Sequence, residues 1–265
     1  MHRTIFISDF HLGSRMTKAE HLLDFIKSND AETWYLIGDI YDIKRLKKRR
    51  YWPHNHGRVI RALRAKARTG QRIVYIPGNH DPELRQRSGQ RPRLGGIEVR
   101  RQDVHTTADG RRLLIIHGDE HEPKLESKSF SYVGGCAAYF AGVGASKMVG
   151  HARKVAGLGY WSLAAHLKDR ALPRIPLMRR YRENVCTAAR RANAHGVVCG
   201  HIHHAAAEMS GDTLYLNCGD WVDSCTALVE DRTGTLRLVR WAGNGTARPA
   251  RSNLPIIKPE TATAR

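Results

Sequence analysis

Five short turns hold the side chains of this sequence best suited to binding metals or moving protons: Asp9-Phe10-His11, Gly38-Asp39, Gly78-Asn79-His80-Asp81, His117-Gly118-Asp119 and Gly200-His201-Ile202-His203. Carboxylates, imidazoles and an amide carbonyl form a mixed oxygen and nitrogen donor set. Such a set suits Mn, Fe, Zn or a similar metal better than Ca or a thiolate-bound Zn. Two such cations about 3.5 to 4 Å apart can share a hydroxide, lower its pKa and clamp phosphoryl oxygens during in-line displacement. Water is then the nucleophile, and no Ser or Cys is required. The set predicts hydrolysis of a phosphate ester or phosphoanhydride.

Roles follow from residue type and spacing. Asp39 is the candidate bridge, because its two oxygens can reach two cations. Asp9 and His11 lie two residues apart at a predicted strand end, where alternation points both side chains the same way, and His201 and His203 repeat that spacing. Asn79 and His117 supply an oxygen and a nitrogen to a second site. His80 cannot easily share a metal with its neighbour Asn79, so it is assigned to the leaving group or the transferring oxygens. Asp42, three residues after Asp39, is the candidate to hold the His80 ring, and Asp81 is expected to serve the turn. A lone Asp-x-His or His-x-His is more often a turn or a satisfied polar pair. The glycines before Asp39, Asn79 and His201 also suit ordinary tight turns. Five turns in one order, each closing an apolar run, carry the reading.

The apolar runs Thr4 to Ile7, Thr33 to Ile37, Arg72 to Ile76, Arg112 to Ile116 and Gly196 to Cys199 read as buried strands. Helical spacing of Leu22, Leu23 and Ile26, and of Val59, Ile60, Leu63 and Ala67 before Gly70, places helices between the first three. Alternating strands and helices imply parallel α/β construction, with ligands gathered beyond the carboxyl ends of the strands. After His203 the runs Thr213 to Asn217, Cys225 to Val229 and Leu236 to Trp241 suggest antiparallel strands and a second sheet. The expected fold class is α/β, a two-sheet β-sandwich flanked by helices. Residues 1–242 would form that domain, with an inserted helical cap over about 120–193 and a mostly disordered tail over 243–265.

The chain has 265 residues and 41% apolar content, enough for a sizeable core. Its five cysteines (136, 186, 199, 218 and 225) are odd in number and include no C-x-x-C pair, which predicts reduced thiols in a cytosolic protein. The first apolar run leads straight into the Asp9 turn, so no signal peptide is expected. Tyr132 to Gly150 has membrane length but is rich in Gly and Ala and carries Lys147, which makes it a poor span.

Charge is the second signal: 44 Lys and Arg against 25 Asp and Glu give +19. Between Lys44 and Arg72 there are twelve basic residues and no acidic one, and a second cluster contains Lys168, Arg170, Arg174, Arg179, Arg180 and Arg182. A solvated basic face is one reading. Because the first cluster begins two residues after Asp42, attraction of an anionic substrate or membrane surface is preferred. Lys44, Arg45 and Lys168 are the candidate substrate-binding residues.

The five turns, written D-x-H, GD-x-x-D, GNHD, H-G and GH-x-H, are those of the calcineurin-like metallophosphoesterases, which the chain resembles over roughly residues 4–240. The resemblance implies a first metal site of Asp9, His11, Asp39 and His203 and a second of Asp39, Asn79, His117 and His201. It also implies a catalytic His80 paired with Asp42. Two divalent ions are expected, Mn ahead of Fe, Zn or Mg. Within that superfamily, Ser8 to Gly13 (SDFHLG), the long insertion and Asn217 to Asp223 (NCGDWVD) resemble the UDP-2,3-diacylglucosamine diphosphatases of lipid A biosynthesis. That likeness implies a nucleotide diphospho-lipid substrate and a cytoplasmic, peripheral position at the inner membrane. His80 departs from the Arg usual in those hydrolases, and Gly118 to His121 departs from their usual continuation. The alternatives are another phospholipid or nucleotide substrate, a nuclease drawn to nucleic acid by the basic stretch, a protein phosphatase, or a non-catalytic scaffold. The insertion disfavours the protein phosphatase, and the intact ligand set disfavours the scaffold. No nucleic-acid-binding motif supports the nuclease.

Overall fold

Strand alternation decides which side of the first sheet each apolar residue serves. The computed structural model describes residues 1–87, 93–123, 176–241 and 247–249. Its elements are β1 (His2–Ile7), α1 (Ala19–Ser28), β2 (Ala31–Ile37), α2 (Ile43–Lys48), α3 (His54–Arg68), β3 (Arg72–Ile76), α4 (Pro82–Arg87), β4 (Arg93–Leu94), β5 (Ile97–Val99), β6 (Asp103–Thr106) and β7 (Arg112–Ile115). A 3-10 turn at Asp119–His121 precedes α5 (Pro176–Arg191), β8 (Gly196–Cys199), β9 (Ala206–Ser210), β10 (Thr213–Asn217), β11 (Thr226–Glu230), β12 (Leu236–Trp241) and β13 (Ala247–Pro249).

Ile5, Ile7, Trp34, Leu36, Ile73 and Tyr75 point to one face and meet Leu22, Leu23 and Ile26 of α1 and Val59 and Leu63 of α3. The intervening Phe6, Tyr35, Ile37, Val74 and Ile76 point to the other and meet Leu113, Ile115, Val198, Leu214 and Leu216 of the second sheet. Beyond that sheet, Leu114, Val197, Cys199 and Tyr215 pack on Tyr181, Val185, Cys186 and Ala189 of α5. The layers are therefore helix, sheet, sheet, helix. Each fully buried large apolar side chain contributes about 1.5 to 3 kcal/mol.

The first sheet has the order β13-β12-β11-β1-β2-β3-β5-β4 and the second β6-β7-β8-β10-β9. β1, β2, β3 and β5 are parallel, as are β7, β8 and β10. The expectation of antiparallel strands in a second sheet after His203 is corrected in two respects. β11 and β12 are antiparallel but extend the first sheet, on β1. β9 makes a tight hairpin with β10 around Gly211, whose φ is +60°. That reversal brings β10 back parallel to β8.

Within the 120–193 interval expected as an inserted cap, Tyr181, Val185 and Ala189 recur at helical spacing and seat α5 on the second sheet as its outer layer. Residues 124–175 lie outside the described residues. With them lie Cys136, Lys168, Arg170, Arg174 and the Tyr132 to Gly150 stretch. Part of the expected tail is ordered into β13, which pairs with β12 through Val239 and Pro249, Arg240 and Arg248, and Trp241 and Ala247. Cys186, Cys199, Cys218 and Cys225 are buried free thiols. Among the described residues no helix is long and apolar enough to cross a membrane.

Candidate metal centre

β1, β2, β3, β7 and β8 deliver their following turns to one end of the sandwich. Convergence of the side chains does not come from strand alternation, as the sequence suggested. The strands have already ended, and Asp9, His11, Asp39, His201 and His203 all adopt left-handed backbones, with φ of +54°, +50°, +53°, +69° and +53°. Non-glycine residues in that region are uncommon and strained, and they cluster at functional sites.

Asp39 lies between two groups of donors. Its Oδ2 is 3.7 Å from His11 Nε2 and 3.5 Å from His117 Nε2, while its Oδ1 accepts the His80 backbone N–H at 2.8 Å. One oxygen, not two, faces both sides. On the first side, His203 Nε2 is 3.1 Å from His11 Nε2 and 3.4 Å from Asp9 Oδ1. Asp9, His11 and His203 form one compact donor group, and Asp9, Asp39 and His117 form another, each with its donor atoms within 4.8 Å. His201 is placed less directly. Its ring lies 5.3 Å from that of His117, its backbone N–H donates to Asp9 Oδ2 at 3.0 Å, and its Nε2 is 3.3 Å from Glu122 Oε2.

Glycines make this approach feasible. A Cβ on Gly78 would sit 2.2 Å from Asp39 Oδ1, and one on Gly38, where φ is +73°, would sit 2.0 Å from His117 Nδ1. These glycines do more than turn the chain.

The donors fit a cation. Asp9 Oδ1, Asn79 Oδ1 and His117 Nε2 are buried and have no hydrogen-bond partner. Leaving such atoms unsatisfied costs about 1 to 3 kcal/mol each. His117 Nδ1 is 3.0 Å from the Ile37 carbonyl, which accepts its proton, so Nε2, on the side of Asp39, is the nitrogen from which a cation would displace a proton. Burial opposes a charge on His117, yet Asp39 and then Asp9 raise its pKa to about 10. Burial would raise Asp39, but His117 and His11 hold it well below the usual carboxylate range. Burial, then the neighbouring His203, push His11 down to about 3, so its ring is neutral and offers a lone pair. Burial pushes the Asp9 carboxyl up, so a positive neighbour would be needed to keep it ionised.

His80 stands beside the first donor group, with its ring 4.7 Å from that of His11 and nearly perpendicular to it. Its Nδ1 lies 3.0 Å from Asp42 Oδ1, and this hydrogen bond raises the His80 pKa against the opposing effect of burial. Asp42 is held in turn. It caps α2 by accepting the Arg45 backbone N–H at 3.1 Å, and Arg45 Nε lies 3.2 Å from its Oδ2. Arg45, expected to meet substrate, thus braces Asp42. Lys44 is exposed. Asp81 is fully buried, accepts the Ile40 N–H at 3.0 Å and the Tyr75 hydroxyl, and so ties the turn after β3 to the turn after β2. Two carboxylates of the site were not singled out in the sequence, Glu122 beside His201 and Asp220 beside His203. The NCGDWVD stretch pointed to the second as a motif but not to its place.

Acid and imidazole donors converging on a buried carboxylate, beyond the parallel strands of a two-sheet sandwich, define a metal-dependent phosphohydrolase. The chain belongs to the calcineurin-like phosphoesterase family, whose profile matches residues 2–205. Among solved structures it is similar to vacuolar protein sorting 29 from Cryptosporidium parvum at 10% identity, covering 93% of this chain and 94% of that one with a TM-score of 0.47. It is also similar to Vps29 from Entamoeba histolytica complexed with zinc, at 12% identity over 92% and 95% with a TM-score of 0.47. The phosphoesterase YfcE from E. coli is similar at 16% identity over 92% and 95% with a TM-score of 0.46. No curated protein matches the sequence.

Proposed function

We propose that this chain hydrolyses the diphosphate of an anionic, amphipathic substrate of the UDP-2,3-diacylglucosamine type, taken from an anionic membrane surface on the cytoplasmic side. In this reading Asp9, His11, Asp39 and His203 hold one divalent ion, and Asp39, Asn79, His117 and His201 hold the other, with Mn the expected metal. Bound there, such ions supply an activated water and charge stabilisation for the transferring phosphoryl group. The observation that carries the hydrolytic part of the reading, as distinct from the choice of substrate, is His80, fixed by Asp42 and set against His11, where its Nε2 can serve the leaving oxygen. Asp42 keeps the proton of the pair on Nδ1 or shares its charge, and Arg45 keeps Asp42 in place.

The substrate class rests on the SDFHLG and NCGDWVD stretches and on the surface next to Asp42. Lys48, Arg49 and Arg50 are exposed there beside Trp52, which is 43% exposed and stacked on Tyr41. Exposed basic residues around an indole suit an anionic lipid interface. Lys47 pairs with Glu83 and adds less. The test is turnover, with Mn, of UDP-diacylglucosamine, CDP-diacylglycerol, bis-p-nitrophenyl phosphate and single-stranded DNA. Preference for the first, with UMP released, supports the proposal. Preference for DNA would instead favour the nuclease reading suggested by the +19 charge.

A further inference from the structure

The Asn217 to Asp223 stretch takes no part in the ligand set, yet it lies directly behind His203. Asp220 is fully buried there. Its Oδ1 accepts the backbone N–H groups of Val222 at 2.9 Å, Asp223 at 2.6 Å and Ser224 at 3.0 Å. Its Oδ2 lies 3.5 Å from His203 Nδ1. The other nitrogen of that ring, Nε2, faces His11 Nε2 and Asp9 Oδ1. The ring therefore spans from a buried carboxylate to the donor cluster. The loop that carries Asp220 is tied to the site at three further points. Trp221 N donates to the Asp9 carbonyl at 3.1 Å, Ser8 Oγ to the Gly219 carbonyl at 2.9 Å, and Asn217 Nδ2 to the Gly200 carbonyl at 2.7 Å.

Imidazole ligates a cation only through a nitrogen without a proton, and the partner of the other nitrogen decides which one is bare. We infer that Asp220 is a positioning residue that holds His203 as its Nδ1–H tautomer and aims Nε2 at the cation of the first site. This rests on the two-cation reading above. The two oxygens of Asp220 divide the work, Oδ1 fixing the loop and Oδ2 fixing the ring.

Asp220→Asn separates those two tasks. Three converging N–H groups require an acceptor, so the amide oxygen stays on the loop and the NH2 group meets His203 Nδ1. An N–H donor there selects the opposite tautomer, with the proton on Nε2 where the cation should bind. Metal-free wild-type protein titrated with Mn should bind two ions. Asp220→Asn should bind one of them with unchanged affinity and the other about 10- to 100-fold more weakly, the usual effect of losing such a partner, with an unchanged circular dichroism spectrum. Ser224→Ala removes hydrogen bonds within the same loop without approaching His203, and should bind both ions as wild type does. If wild-type protein does not take up two ions, the two-cation reading fails. If it does, and folded Asp220→Asn binds both equally well, Asp220 serves only the loop and the inference is overturned. Should that variant not fold, ¹⁵N NMR of the histidines in zinc-loaded wild-type protein decides instead. A proton on His203 Nδ1 supports the inference, and a bare or metal-bound Nδ1 overturns it.

Discussion

Both ends of β1 carry buried acidic and histidine side chains, but the two clusters are completed in opposite ways. At the amino end Glu230 of β11 is fully buried and has a partner for each oxygen: Arg3 at 2.6 Å and the Ala108 N–H at 2.8 Å on Oε1, and His105 at 2.7 Å on Oε2. At the carboxyl end Asp9 Oδ1, Asn79 Oδ1 and His117 Nε2 are buried with no hydrogen-bond partner, on a frame with five left-handed residues. The first cluster is closed by the protein's own groups. The second leaves polar atoms and strained backbone whose cost, about 1 to 3 kcal/mol for each such feature, a bound cation would help to offset. Residue type alone does not separate structural from functional clusters. Hydrogen-bond completion and backbone conformation do.

The largest expected effect is that of Asp39→Ala. Because Oδ2 faces both His11 and His117, the variant should bind neither ion and show no metal-dependent phosphodiesterase turnover. Elemental analysis after Mn loading checks this, and retention of one tightly held ion would refute the bridging role. His80→Ala should follow, with turnover reduced by roughly 10² to 10⁴ and both ions retained. Asp42→Asn should lose less, since the ring remains but its orientation is relaxed. Loss of metal in the His80 variant, with activity per bound ion preserved, would move His80 from catalysis to ligation.

Metal binding itself distinguishes the two ends. Mn at about 100 times its dissociation constant should stabilise the native state by roughly 2.7 kcal/mol per site, seen as a rise in Tm that EDTA reverses. In Asp39→Ala that rise should vanish. A Tm insensitive to Mn in wild-type protein would mean that the orphaned atoms are not waiting for a cation.

Much of the site was legible because each ligand turn closes a buried apolar run, and a strand end is where parallel sheets place ligands. The strands of β1, β2, β3, β7 and β8 and the helices α1 and α3 were legible for the same reason of periodicity. Their reason for convergence was not: left-handed φ at Asp9 or His203 leaves no mark in a sequence, since neither is glycine. The short strands β4 and β5 depend more on pairing, with each other and of β5 with β3, than on their own pattern. β9 was missed, and with it the hairpin that sets the direction of β10. Asp220 was invisible as a partner because it meets His203 only when the loop after β10 folds back. The pairs Arg45 with Asp42 and Lys47 with Glu83 likewise turn part of an apparently free basic run into local structure.

The smallest expected effect probes the closed end. Burial works against ionised Glu230, but the hydrogen bond from His105 and further partners hold its pKa below the ordinary value. A folded pKa below the unfolded one means that the unfolded chain binds the extra proton. Ionised Glu230 therefore stabilises the fold above the ordinary Glu range, about 4.3, and that contribution is lost as pH falls through the folded value. Glu230→Gln should lower stability at pH 7 by about 1 to 3 kcal/mol, or roughly 2 to 4 °C in Tm per kcal/mol for a chain of this size. The gap from wild type should narrow as pH falls below that range. Mn affinity should not change, because the Glu230 side chain meets Arg3, His105 and the Ala108 N–H, none of them in the ligand turns at the other end of β1. A Glu230→Gln protein that keeps its Tm but binds Mn more weakly would show that the two ends are coupled, and would break the distinction between a closed cluster and an open one.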